Sequence, residues 1–129
     1  MIAELIAVGT EVTIGSITNS NAVYLARRLS ELGVEVCYHT AVDDDQNRLT
    51  SVFKTAVDRS ELIILIGGLG PTEDDLTKET IAKVIDRPLE SDYEMEEKIK
   101  HIFSYSNREM TVNNLKQATK PQGADFIPN

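Results

Sequence analysis

The sequence predicts an α/β domain built on a parallel sheet. Three observations carry that expectation. Short apolar runs alternate with amphipathic stretches in the order β-α-β-α-β-loop-α. The run Leu62-Ile63-Ile64-Leu65-Ile66 is wholly apolar and bounded, as expected of a central parallel strand covered on both faces. A glycine-rich loop follows it directly and leads into another helical pattern.

Each element has its own signal. Ile2 to Val8 is apolar but for Glu4 and reads as the first strand. A loop rich in Gly, Thr, Ser and Asn follows. Ala22, Leu25, Leu29 and Leu32 then recur at spacings of three and four, the pattern of an amphipathic helix, and Gly33 closes it. Val34 to Thr40 reads as the second strand. One of Asp43, Asp44 and Asp45 caps the next helix, whose stripe is Leu49, Val52, Phe53, Ala56 and Val57. After the glycine loop, Leu76, Ile81, Val84 and Ile85 mark a third helix. Beyond Pro88, Ser91 with Glu94 forms a capping box for a helix bearing Met95, Ile99, Ile102 and Phe103. Asn113 to Thr119 reads as a short helix, and Gly123 to Asn129 as the start of a further strand.

Composition narrows the function. The chain has 129 residues, enough for one domain and one core, with ordinary apolar and charged fractions of 41% and 26%. A net charge of −8 argues against nucleic acid and anionic membranes as partners. It leaves room for a small anionic ligand held locally by backbone N–H groups or a metal ion. The lone cysteine, Cys37, precludes an internal disulfide, and its apolar surroundings predict a buried thiol. No stretch approaches the roughly 18 apolar residues of a membrane span, and Met1-Ile2-Ala3-Glu4-Leu5 lacks a secretory n-region. A cytoplasmic location is the expectation. Tyr24 and Tyr38 are expected to pack, and His39 and His101 to be structural.

In open parallel sheets, ligands bind at the carboxyl ends of the strands. Three loops are expected there: Gly9 to Asn21, Asp43 to Asp45, and Gly67 to Asp75. In the third, Gly67, Gly68 and Gly70 let backbone approach a ligand closely, and their N–H groups offer an anion cradle. Thr72 adds a hydroxyl. Asp74 and Asp75 suit a hard cation such as Mg²⁺. One of Asp43, Asp44 and Asp45, and Glu11, are further candidate carboxylates. The plainer alternative is a strand-to-helix turn with Thr72 or Asp74 as cap, and likewise an Asn cap at Asn19 or Asn21. The loop is neither a P-loop nor a G-x-G-x-x-G fingerprint.

On these residues the sequence resembles the amino-terminal domain of the CinA (competence/damage-inducible) family. That domain resembles the molybdopterin-binding domains of the MoaB/MogA type. The matching stretches are Ala7-Val8-Gly9-Thr10-Glu11, Gly15 with Asn19 to Asn21, and above all Gly67 to Thr77, GGLGPTEDDLT. Pro88, Asn113-Asn114, Gln117-Ala118 and Ile127-Pro128-Asn129 also fit, so the likeness covers essentially the whole chain. It implies a three-layer α/β/α fold with a mostly parallel sheet and, by analogy, a homo-oligomer. It further implies metal-dependent hydrolysis of ADP-ribose to AMP and ribose 5-phosphate, or molybdopterin binding. By the same resemblance Gly9, Thr10, Asn21, Gly67, Gly68, Gly70 and Thr72 would bind ligand and phosphate. Asp74, Asp75, Asp44 and Glu11 would hold the metal, with Asp75 and Asp44 catalytic. Asp43 stands where the family usually has glycine, and Val12-Thr13 replaces a more apolar pair. The family domain continues past Asn129, so a domain truncated at its carboxyl end is expected, without the nicotinamide mononucleotide deamidase domain.

Two functions compete on this reading. One is a metal-dependent pyrophosphatase acting on a nucleoside diphosphate sugar. The other is a non-catalytic nucleotide- or pterin-binding or regulatory module. An inactive fragment is the third possibility.

Overall fold

The computed structural model describes residues 1–128, which fall into two compact units, Met1–Gly68 and Leu69–Asn129. The first holds β1 (Ile2–Val8), α1 (Thr10–Thr13), α2 (Ser20–Glu31), β2 (Glu35–Val42), α3 (Gln46–Arg59) and β3 (Leu62–Ile66). Its strands form a parallel sheet in the order β2-β1-β3. The register sets Val8 beside Val42, and Ala7 beside both Ala41 and Ile66. β1, flanked on both sides, is buried from Ala3 to Val8. Leu5 and Ile6 of β1, Leu49, Phe53 and Ala56 of α3 and Ala22 of α2 are among the buried residues of its core.

Glu4 lies inside that core with no exposed surface. A buried carboxylate persists only when paired and hydrogen-bonded. Arg59 donates to both oxygens, Nε to Oε2 at 2.9 Å and Nη2 to Oε1 at 2.7 Å. Thr40 Oγ1 donates at 2.7 Å. The Arg59 hydrogen bonds outweigh burial and hold the Glu4 carboxyl below its ordinary range. The guanidinium also stacks 3.9 Å from the Tyr38 ring centre.

The second unit holds α4 (Thr77–Val84), β4 (Leu89–Ser91), α5 (Tyr93–Ser106), a 3-10 helix (Val112–Ala118) and β5 (Thr119–Pro121). β4 and β5 pair antiparallel, with Glu90 opposite Lys120. Asp92 caps α5 by accepting from the Met95 N–H at 3.0 Å.

Several expectations need correction. The strand Leu62–Ile66 pairs with β1 alone among the described residues, so it lies at the sheet's edge and every residue is partly exposed. Its apolar composition reports what its faces touch, whereas the crossovers set its place. Cys37 is exposed, because β2 is the other edge and only alternate residues turn inward. Val57 and Tyr24 are exposed at the margins of their helical stripes, and Ile102 likewise. β2 runs two residues further than expected, to Val42, and the loop after β1 contains the short α1. Ser91 ends β4, leaving Asp92 as the cap. Leu76 stands at the start of α4 without a side-chain cap, so neither Thr72 nor Asp74 caps it. The strand expected after Gly123 is absent through Pro128; Asn129, part of the Ile127-Pro128-Asn129 match, lies outside the described residues. Among the described residues no helix is long and apolar enough to cross a membrane.

Candidate functional site

In the first unit the candidate residues gather where β1, β2 and β3 end. The Gly9 N–H donates to the Val42 carbonyl at 2.9 Å, continuing the β1–β2 pairing one step into the loop. The Thr10 N–H and hydroxyl then both donate to Asp44 Oδ2, each at 3.1 Å. Thr10 and Asp44, 34 residues apart, therefore share one hydrogen-bonded cluster. The three consecutive aspartates have separate tasks. Asp43 forms a two-pronged pair with Arg48 (2.7 and 2.6 Å), and that hydrogen bond lowers its carboxyl pKa. Asp45 caps α3 by accepting from the Arg48 N–H at 2.9 Å.

Glu11, Asn19, Asn21, Val8, Ile66 and Gly67 line a groove of about 220 Å³. That is smaller than an ordinary drug-sized pocket, roughly 300–1,000 Å³, and suits one ring or one phosphate group. Asn19 caps α2 through the Ala22 N–H, as expected of an ordinary Asn cap, while Asn21 sits exposed in the first turn. Gly67 has φ +97°, and a Cβ there would overlap the Val8 carbonyl oxygen. Only glycine allows the chain leaving β3 to pass this close to the end of β1.

The rest of the glycine loop belongs to the second unit. Asp75 folds back over it: Oδ2 accepts from the Thr72 N–H at 2.9 Å and from the Thr72 hydroxyl at 2.6 Å. The Thr72 hydroxyl is the main reason the Asp75 carboxyl titrates below its ordinary value. Burial opposes this, while the Thr72 and Gly70 backbone and the Lys116 charge reinforce it. A Cβ on residue 70 would lie 2.5 Å from the same Oδ2. Gly70 thus makes room for a carboxylate of the protein's own, where close ligand approach was expected. Asp74 is exposed.

Two lysines brace this turn, and the sequence reading passed over both. Lys116 Nζ donates to the Thr72 carbonyl at 2.9 Å and to the Asp75 carbonyl, and lies 3.3 Å from Glu79 Oε1. Lys78 Nζ donates to the carbonyls of Lys116 (2.6 Å) and Thr119 (3.0 Å), and burial pushes its ammonium pKa down. Lys78 had a signal, its place one residue past the GGLGPTEDDLT run. Lys116 had none, being 41 residues from Asp75.

The acids named as metal ligands are engaged in part. Asp44 accepts from Thr10 and Asp75 from Thr72. Among the described residues no three His, Cys, Asp or Glu side chains gather in one place.

Comparison with known proteins gives a consistent likeness. The family described as "Probable molybdopterin binding domain" matches residues 4–123. A "Putative competence-damage inducible protein" of Acetivibrio thermocellus is 48% identical over 129 residues, covering 100% of this chain and 31% of the relative. The Bacillus subtilis protein of the same name is 49% identical over 127 residues, covering 98% and 30%. The chain thus spans about a third of the length of the curated relatives it matches. Among solved structures, "the protein CinA with unknown function" from Thermoplasma acidophilum superposes with TM-score 0.84 at 33% identity, covering 99% of this chain and 75% of that one. The molybdopterin biosynthesis enzyme MoaB of Thermus thermophilus superposes with TM-score 0.64 at 19% identity, covering 90% and 70%. The latter likeness is one of fold alone, and it agrees with the three-layer α/β/α class.

Proposed function

This chain belongs to the CinA family of molybdopterin-binding-type domains, and from that membership we propose that it is a module that binds a phosphate-bearing pterin or nucleotide. The observation that carries the reading is the turn from Gly70 to Asp75. There one backbone N–H and one hydroxyl, both of Thr72, converge on a single anionic oxygen. A phosphate oxygen has the same charge and accepts the same two hydrogen bonds. On this reading the ligand phosphate takes the place of the Asp75 carboxylate. It then also meets the positive end of α4, which opens at Thr77.

The test is calorimetric titration with AMP, ADP-ribose and neopterin phosphate, each against its unphosphorylated counterpart. Binding should require the phosphate, and Thr72→Val should weaken it about tenfold. A hydrogen bond to a charged group is worth roughly 1.5–3 kcal/mol, but here the hydroxyl only exchanges one anion for another. Equal binding of phosphorylated and unphosphorylated ligands would sink the reading.

The second reading is hydrolysis of the ADP-ribose pyrophosphate with a divalent metal, favoured by the exposed Asp74 beside a carboxylate that phosphate would release. On this reading one or two carboxylates, Asp74 and the released Asp75, would hold a hard cation such as Mg²⁺ together with the phosphate oxygens of the substrate. AMP release from ADP-ribose, with and without added Mg²⁺ and with Asp75→Asn as control, decides between binding and turnover.

A further inference from the structure

We infer that Lys116 is the positioning residue of the phosphate-receiving turn, holding the Thr72 and Asp75 carbonyls so that the N–H groups of Glu73 and Leu76 are turned to the opposite side, free for the ligand. The inference rests on the phosphate-binding reading of that turn and adds the residue that shapes it.

The case begins with the ammonium group. A lysine offers three donors and no acceptor. Lys116 directs two of them to the carbonyls of Thr72 and Asp75, and its charge is matched by Glu79 at 3.3 Å. The side chain is only 23% exposed, so water competes weakly for these contacts. Every peptide bond described here is trans. In a trans peptide the carbonyl and the following N–H point in opposite directions. Drawing the carbonyls of Thr72 and Asp75 to Lys116 therefore aims the N–H groups of Glu73 and Leu76 away from it. Lys116 thus fixes the direction of two amides at the turn, sharing the Thr72 carbonyl with the Asp75 N–H, which donates to it at 3.2 Å.

Charge supplies the second argument. Glu73, Asp74 and Asp75 are three consecutive acids, and an incoming phosphate is repelled by all of them. The ammonium groups of Lys116 and Lys78 are the cations of the same unit that hydrogen-bond to this turn or to its brace. Lys116 is itself held in place. Its own carbonyl accepts from Lys78 Nζ at 2.6 Å and from Thr119 Oγ1 at 2.7 Å, at the end of the 3-10 helix.

The experiment compares Lys116→Met with Lys120→Met. Methionine keeps the apolar stem and removes the ammonium. Lys120 pairs with Asp92 in the same unit at 3.1 Å and serves as the control for lost stability. ADP-ribose affinity is measured by calorimetry, melting by circular dichroism, and the Thr72 and Glu73 amide shifts by NMR. Lys116→Met should weaken ADP-ribose binding about tenfold or more, as expected for lost charge-assisted contacts. It should also move both amide shifts. Lys120→Met should lower the melting temperature and leave affinity and amide shifts unchanged. If Lys116→Met binds ADP-ribose as the natural protein does, the inference is overturned and the phosphate reading stands. If both variants lose affinity in proportion to stability, Lys116 is structural only and the inference is overturned. If the natural protein binds no phosphorylated ligand, both fall together.

Discussion

Replacing Glu4 by Gln tests the core of the first unit most directly. The carboxylate has no exposed surface and accepts from Arg59 twice and from Thr40 once, all within 2.9 Å. A glutamine fills the same volume but exchanges one acceptor oxygen for an NH₂ group. In either orientation that group faces a guanidinium nitrogen, Nη2 in the place of Oε1 or Nε in the place of Oε2, so one donor meets a donor. Breaking one side of a buried charged pair costs roughly 3–5 kcal/mol when the other charge stays buried. Here the Arg59 side chain is 36% exposed and can regain water, so the cost for Glu4→Gln should be about 2–3 kcal/mol. The melting temperature should fall by roughly 10 °C. Acid provides the check. The folded-state pKa of Glu4 lies below its unfolded value, so its contribution is present above the unfolded carboxylate range, about pH 4.3. It is lost as pH falls through the lower folded value. Urea titrations followed by circular dichroism at pH 7 and pH 3 should therefore give a gap between the two proteins that narrows in acid. A gap under about 1 kcal/mol, or one of equal size at both pH values, would refute the reasoning.

Two other expectations follow. Gly67→Ala should destabilise the chain by more than about 2 kcal/mol, because the residue has φ +97° and a Cβ would overlap the Val8 carbonyl oxygen. Chemical unfolding measures this, and a neutral result would mean the backbone after β3 shifts freely. The turn from Gly70 to Asp75 should hold together at neutral pH and loosen only in strong acid. The Asp75 pKa is depressed, chiefly by Thr72, so the contact persists until pH falls below the ordinary aspartate range. The Thr72 amide shift should titrate at that low pH, and a midpoint at the ordinary aspartate value would contradict the hydrogen bonds to Oδ2.

Much of the fold was legible because its signals are local. The spacing of Leu49, Phe53 and Ala56 identifies a helix whoever its neighbours are, and those three residues are buried as a stripe should be. Asp45 was among the cap candidates because a cap acts within three residues. The candidate ligand turn was legible for a related reason. Three glycines, a proline and two adjacent acids between Gly67 and Asp75 exceed what a cap requires.

Less visible was what each polar group does once the chain has closed. Asp43, Asp44 and Asp45 are identical in sequence, yet one binds Arg48, one binds Thr10 and one caps α3. The expected exposures of Cys37 and of Leu62–Ile66 failed because burial depends on strand order, which the composition of a single strand does not contain.

By itself, then, the sequence determined the main helices, the three parallel strands, the caps at Asn19 and Asp45 and the place of the glycine-rich turn. Each of these depends on residues a few positions apart, where chain geometry leaves little choice. The tertiary structure decided which strand lies at the centre, that Glu4 is charged and paired inside the core, and that Asp75 occupies its own turn with Lys116 behind it. Those outcomes need groups up to 55 residues apart to meet at hydrogen-bonding distance. Only the closed chain brings them there, because the strength of each contact depends on burial and on partners supplied by other elements.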